Sequence, residues 1–140
     1  DMGEYGGLPQ SQNGCSDPGI IVDRETGEIF CFAVWMNGKP GQHQWTDDGS
    51  EPGFEIGRSA QLLLVRSRDD GLTWTPPENL TRRLKQESWW LLAPAPQQGF
   101  QLPDGTLVMP VQGRTGRDTL ATFATACRAP RLVPPTDVSS

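Results

Sequence analysis

Apolar and polar positions along this chain cluster over short stretches and never hold a sustained helical spacing. Gly19-Ile20-Ile21-Val22 is a short β-branched run, Asp23 to Glu28 is a polar loop with a glycine near its end, and Ile29 to Trp35 is a second apolar run. Together they predict a hairpin with a longer loop. Met36 to Arg58 is rich in Gly and Pro, with little periodicity, and reads as a long irregular connection. Ala60 to Ser67 predicts a third strand. Thr73-Trp74-Thr75 predicts a short fourth one, ended by Pro76 and Pro77 because proline cannot donate to a ladder. Arg82 to Trp90 has room for one helical turn. A strand–turn–strand pattern then recurs, with Gly99 to Leu102 and Thr106 to Gln112 flanking Pro103-Asp104-Gly105. Asp-Gly between two apolar runs is a strong hairpin signal. After Gly113 the pattern stops, and residues 114–140 are expected to form a poorly ordered or foreign tail. The class predicted is all-β.

Composition agrees. The 140 residues include 16 Gly, 13 Pro and 5 Trp, which suits short strands joined by long turns better than a helical bundle. The formal net charge of -5 repels phosphate, and the only basic cluster is Arg82, Arg83 and Lys85, so no nucleic-acid partner is expected. The longest clean apolar run, Ile29 to Met36, is far short of the roughly 20 residues needed to span a bilayer. Cys15, Cys31 and Cys127 are widely separated, and His43 is the only histidine. Zinc needs about four N or S ligands at defined spacing, so neither a metal nor any other cofactor is expected. Cys31, inside an apolar run, reads as a small core residue. The chain opens on Asp1 with no leader pattern, and a targeting segment can lie upstream.

One motif is specific. Ser67-Arg68-Asp69-Asp70-Gly71-Leu72-Thr73-Trp74 matches the Asp-box pattern S-x-D-x-G-x-T-W at every defined position. The pattern makes a turn. Asp69 can accept from backbone N–H groups within it, Gly71 supplies a conformation other residues resist, and Trp74 is expected to pack as an apolar plug. Ser67, Asp69, Gly71, Thr73 and Trp74 are therefore read as structural and not catalytic.

The surrounding segments extend the match. Asp17-Pro18-Gly19-Ile20-Ile21-Val22-Asp23, with Thr26-Gly27-Glu28-Ile29-Phe30, resembles the start of the second blade in the bacterial-type sialidase (neuraminidase) family of Asp-box β-propellers. Asn79-Leu80-Thr81 resembles that family's "NLT"-type segment. Ala95-Pro96-Gln97-Gln98-Gly99-Phe100-Gln101-Leu102, followed by Asp104-Gly105-Thr106-Leu107-Val108-Met109-Pro110, resembles its G-P-G-x-G-I-Q-L-x-D-G-x-L-V-x-P stretch, with Ala95-Pro96-Gln97 where Gly-Pro-Gly is usual. The resemblance covers roughly Cys15 to Gly113.

What the resemblance implies is an all-β fold of antiparallel four-stranded blades from a six-bladed propeller. Residues 1–113 would hold about one and a half blades, and 114–140 would fall outside the match. Completing a second blade would need two more strands and a second turn motif in that tail. It also implies exo-α-sialidase activity, a retaining glycoside hydrolysis that removes terminal sialic acid from glycoconjugates. Family members clamp the substrate carboxylate with three Arg, use a Tyr–Glu pair as nucleophile and an Asp as acid/base. The first Arg and that Asp lie upstream of this segment, and the rest far downstream. No catalytic residue is assigned here, and the chain alone is expected to be inactive. A Tyr nucleophile suits an anionic substrate, since a carboxylate would repel it. Tyr5, the only Tyr, lies outside the matched stretch and reads as a packing residue.

The resemblance places three residues against the substrate. Asp17 falls where the family's Asp or Asn reaches the sugar's O4 hydroxyl. A carboxylate accepts from a hydroxyl, and Pro18 is expected to hold Asp17 extended. Trp45 and Phe54, in the long loop, fall among the aromatic pocket contributors. They have a second reading as covers of the blade edge. Trp35, Trp89 and Trp90 are read as packing residues. Asp47-Asp48, and Glu51 with Glu55, raise a two-carboxylate glycosidase as an alternative, although acids in a polar loop are usually solvated. The partner implied is a sialylated glycan, and the location follows the substrate, secreted or periplasmic. The competing function is a non-catalytic Asp-box propeller that binds glycans or proteins.

Overall fold

The apolar runs pair into two antiparallel sheets. The structure, a computed structural model, describes residues 2–7, 12–37, 50–116, 119–128 and 131–137. The first sheet has strand order β1 (Asn13–Val22), β2 (Ile29–Asn37), β3 (Gln61–Ser67) and β4 (Glu78–Asn79). Ile29 lies opposite both Val22 and Ser67, so the register that pairs β1 with β2 also delivers the Asp-box turn at the far end of β3. A single helical turn, α1 (Thr81–Leu84), follows.

The second sheet holds β5 (Leu91–Pro94), β6 (Phe100–Gln101), β7 (Leu107–Gly116), β8 (Thr119–Arg128) and β9 (Arg131–Asp137). β5 pairs with the end of β7 and β6 with its start, while β8 occupies β7's other side. β5 and β6 are thus one inner strand interrupted at residues 95–99, and the sheet has four ladder positions like the first.

Two strand assignments move. The fourth strand is Glu78–Asn79 and not Thr73–Thr75. The Asp-box turn consumes Thr73 and Trp74, and pairing ends where Thr75 N donates to Arg66 O at 2.8 Å. Pro76 and Pro77 can donate nothing, so the ladder resumes beyond them. The tail also differs from expectation. β7 continues through residue 114 to Gly116, and β8 and β9 add the two strands that a second blade requires. The alternation there is hidden because alanine replaces larger apolar residues between β-favouring threonines. Pro134 and Pro135 fit because they fall where β9 shifts register against β8, at the end of the sheet order, so the regular ladder is already interrupted at the two positions that lack an N–H.

The core joins the sheets. Ile21, Phe32, Leu62 and Leu64 from the first pack with Leu92, Leu107, Met109 and Val111 from the second. The seam follows β1. Ile20 N donates to Gln97 O at 3.4 Å, and Gly99 N to Ile20 O at 2.8 Å, around a parallel bridge between Ile20 and Gln98. Glycine is required twice. A Cβ on Gly19 would stand 2.8 Å from Met109 Sδ, and one on Gly99 would stand 2.1 Å from Ile21 Cγ1. Gln101 clips the lower end: its Nε2 donates to Asp23 Oδ1 at 2.9 Å, and its Oε1 accepts from Arg24 N at 2.9 Å.

Trp35 is fully buried, with Tyr5 edge-on to it at 5.5 Å between ring centroids. Its Nε1 has no hydrogen-bond partner among the described residues. Trp89 packs against the main core, and the Arg114 guanidinium lies 4.7 Å from the centroid of Trp90. Cys31 is only half-buried and Cys15 is exposed. Among the described residues no helix is long and apolar enough to cross a membrane, and no three His, Cys, Asp or Glu residues cluster as a metal site.

Candidate functional site

The Asp box is a closed hydrogen-bond unit. Asp69 Oδ1 accepts from Thr73 N at 2.8 Å and from Ser67 Oγ at 2.9 Å, and Asp69 Oδ2 accepts from Thr73 Oγ1. Ser67 Oγ in turn accepts from Gly71 N at 2.9 Å. Asp70 and Gly71 both have positive φ, 59° and 85°, so two consecutive residues turn through the left-handed region. The Thr73 hydroxyl, and then the Thr73 N–H, hold the Asp69 carboxyl below its usual range. Trp74 departs from expectation. It is 43% exposed and donates its indole N–H to Gly71 O at 3.0 Å, so it latches the turn and does not plug a core.

Asp17 sits in a bulge of β1. The register slips between Ser16 and Gly19, leaving one extra residue on β1. Asp17 takes up the slip with φ 52°. The extended backbone expected before Pro18 is therefore not what forms. The bulge sets the conformation, and aspartate's short polar side chain is one of the few that tolerate positive φ. A bulge re-aims its side chain, and Asp17 Oδ2 accepts from Gln112 Nε2 of β7 at 3.3 Å, across the seam. The same amide nitrogen lies 3.4 Å from Pro94 O of β5. Gln112 carries a single sequence signal, a polar residue following the apolar run of β7.

Phe54 lines a cleft whose lining does not include Asp17. It is half-buried at the outer side of the first sheet, where its ring centroid lies 4.9 Å from the Arg82 guanidinium and 5.1 Å from Lys85 Nζ. With Ile56, Gln61 and Asn79 it lines a cleft of about 590 Å³. Asn79 ties the cleft floor together, donating to Gln61 Oε1 at 2.8 Å and to Tyr5 OH at 3.0 Å. Lys85 is buried and donates from Nζ to Trp89 O at 2.6 Å. Burial lowers its pKa to about 8. Arg58 accounts for the acidic pair of the loop, meeting Glu51 at 2.7 Å and Glu55 at 3.6 Å. Trp45, Asp47 and Asp48 lie outside the described residues.

Two blades joined along their inner strands, with one Asp box, narrow the candidates to a few repeat families. The family model described as a BNR repeat-like domain matches residues 6–129. The chain belongs to the BNR repeat-like family. That match runs past Gly113, where the resemblance read from sequence ended. Within the family, the chain is 44% identical over 111 residues to a sialidase of Bacteroides fragilis (strain YCH46), covering 79% of this chain and 20% of that protein. It is 45% identical over 104 residues to an exo-alpha-sialidase of Aspergillus fumigatus, covering 70% of this chain and 25% of that protein. Among solved structures, Hadza microbial sialidase Hz136 superposes with TM-score 0.84 and 35% identity, over 97% of this chain and 27% of that one. A Trypanosoma rangeli sialidase solved with sialic acid superposes with TM-score 0.64 at 16% identity, over 86% of this chain and 20% of that one, a likeness of fold alone. The chain thus spans a minor part of these relatives. The reading as a bacterial-type sialidase segment with a β-propeller fold holds.

Proposed function

We propose that the protein carrying this chain is a retaining exo-α-sialidase acting on terminal sialic acid of glycoconjugates outside the cytoplasm, and that this chain supplies scaffold and part of the sugar pocket. The observation that carries the reading is the 44% identity to the Bacteroides fragilis sialidase across 79% of the chain. In this reading Asp17 accepts a hydrogen bond from the substrate's O4 hydroxyl, which an ionised carboxylate can only accept. Trp45 offers an apolar wall to the N-acetyl methyl. Phe54, its ring beside Arg82 and Lys85, is the second aromatic contributor in this reading. The carboxylate clamp, acid/base and nucleophile come from elsewhere in the protein, so the chain alone is inactive.

Asp17→Ala in the full-length protein tests the site. The substitution removes an acceptor of a hydroxyl proton, worth roughly 1–3 kcal/mol of substrate interaction. kcat/KM should fall accordingly on an ordinary α-sialoside and scarcely change on a 4-deoxy sialoside. Equal losses on both substrates would reduce Asp17 to a turn former.

A further inference from the structure

We propose that the cleft beside Phe54 is a subsite for an internal, carboxylate-bearing sugar of the glycan whose terminal sialic acid meets Asp17, and that Arg82 reads that carboxylate. The proposal rests on the reading of Phe54 as a glycan contact and deepens it. The register of the first sheet sets the two places in line. Asp17 lies in the bulge at the level of Ala33, the β2 residue left between the Ser16–Val34 and Gly19–Phe32 pairs. Ala33 pairs with Leu63, and Leu63 pairs with Asn79, which lines the cleft. Three strand spacings of about 4.8 Å put Asn79 roughly 14 Å from Asp17 along one row. That is farther than one sugar ring reaches and within the span of a short oligosaccharide. The cleft is therefore placed for a later sugar of the chain and not for the terminal one.

The charges around the cleft leave one group uncommitted. Arg58 is paired with Glu51 and Glu55, and Arg66 and Arg83 both meet Glu78. Lys85 donates to the carbonyls of Gln86 and Trp89. Arg82 is exposed and makes no hydrogen bond or ion pair among the described residues. Its guanidinium lies over the Phe54 ring, 4.9 Å from the centroid. A guanidinium laid on an aromatic face keeps its edge N–H groups for a planar acceptor, and a carboxylate fits that fork with both oxygens. Glu55, the acid in the lining, is offset by Arg58 at 3.6 Å. Beside the fork, Ile56 is 43% exposed, and with the Phe54 ring it offers apolar surface to the C–H groups of a sugar. The floor is already filled. The Asn79 amide donates to Gln61 Oε1 and Tyr5 OH, and its Oδ1 accepts from Thr81 N at 3.0 Å. Gln61 donates in turn to Ser59 O at 2.7 Å. Recognition therefore falls to Arg82 and the apolar wall, over a floor that does not move.

The test compares two substrates of the full-length protein: sialyllactose, whose inner sugars are uncharged, and an oligosialic acid trimer, whose inner sugars each carry a carboxylate. Arg82→Gln should lower kcat/KM for release of the terminal sugar roughly tenfold on the trimer, the scale of a lost charge-assisted hydrogen bond, and leave sialyllactose unchanged. Arg82→Lys keeps the charge without the fork and should recover only part of the loss. The difference between parent and Arg82→Gln should shrink as salt rises, because the contact is exposed. Melting temperatures of both variants should match the parent. Equal losses on the two substrates, or a trimer rate untouched by Arg82→Gln, would overturn the subsite while leaving the sialidase reading intact. If the parent releases sialic acid from neither substrate, the sialidase reading falls and the subsite falls with it.

Discussion

Asp69 uses both carboxylate oxygens to hold one turn, and that makes its contribution titratable. Its hydrogen bonds lower its pKa in the folded protein. The stabilisation is therefore complete above the ordinary carboxylate range, near about pH 4, and is lost as pH falls through the lower folded value. Asp69→Ala should lower the melting temperature at neutral pH, with the gap to the parent closing in acid. A gap that stays constant down to pH 2 would show that the carboxylate charge is not what holds the turn. At this scale the sequence was informative where chemistry is local. Ser67, Asp69, Gly71 and Thr73 lie within seven residues and interact with one another, so a pattern can encode them. Trp74 was misread because burial is decided by neighbours the motif does not contain. The backbone of Asp17 was misread because the bulge depends on β2's register and not on Pro18 alone.

Among the elements, the single turn of α1 is disproportionately constrained. It ends in Lys85, a buried ammonium whose hydrogen bonds go to the main-chain carbonyls of Gln86 and Trp89 and whose face meets Phe54. Its pKa is lowered to about 8 by burial. An unfolded lysine keeps its proton to about pH 10.4. Between those values the unfolded chain binds more protons, so stability should rise with pH across that window. Below it, the cost of burying the charge is fully present. Lys85→Met should abolish the rise and be neutral or stabilising at pH 7, since an apolar residue of similar size often replaces a buried charge without loss. Thermal unfolding from pH 7 to 10 checks both. A lysine-like rise in the variant would assign the titration elsewhere. β1, β2, β3 and the Asp104-Gly105 hairpin were legible because their apolar runs are β-rich and bounded by turn residues. β5, β8 and β9 were not, because their pairing is dictated by β7 and their own composition is mixed.

At the scale of the molecule, the blades are joined by contacts that no local pattern announces. Gly99 lies in a stretch that resembles the sialidase family, and its physical reason is the space taken by Ile21 of the other blade. Gly99→Ala should destabilise by roughly 1–3 kcal/mol, the usual cost of overpacking, because its Cβ would also meet Val108 O at 2.8 Å. Denaturant unfolding would measure it, and a variant as stable as the parent would mean the seam yields easily.

The seam also has a consequence in time. Arg24 and its partner Gln101 are 77 residues apart in the chain. At synthesis rates of about 5–20 residues per second, the second partner emerges roughly 4–15 s after the first. Once β2 has followed, β1 has that partner but keeps an open flank until residues 97–99 arrive. The first blade must therefore wait on the ribosome with an unsatisfied inner edge, and Gly99 is the residue whose arrival allows it to close.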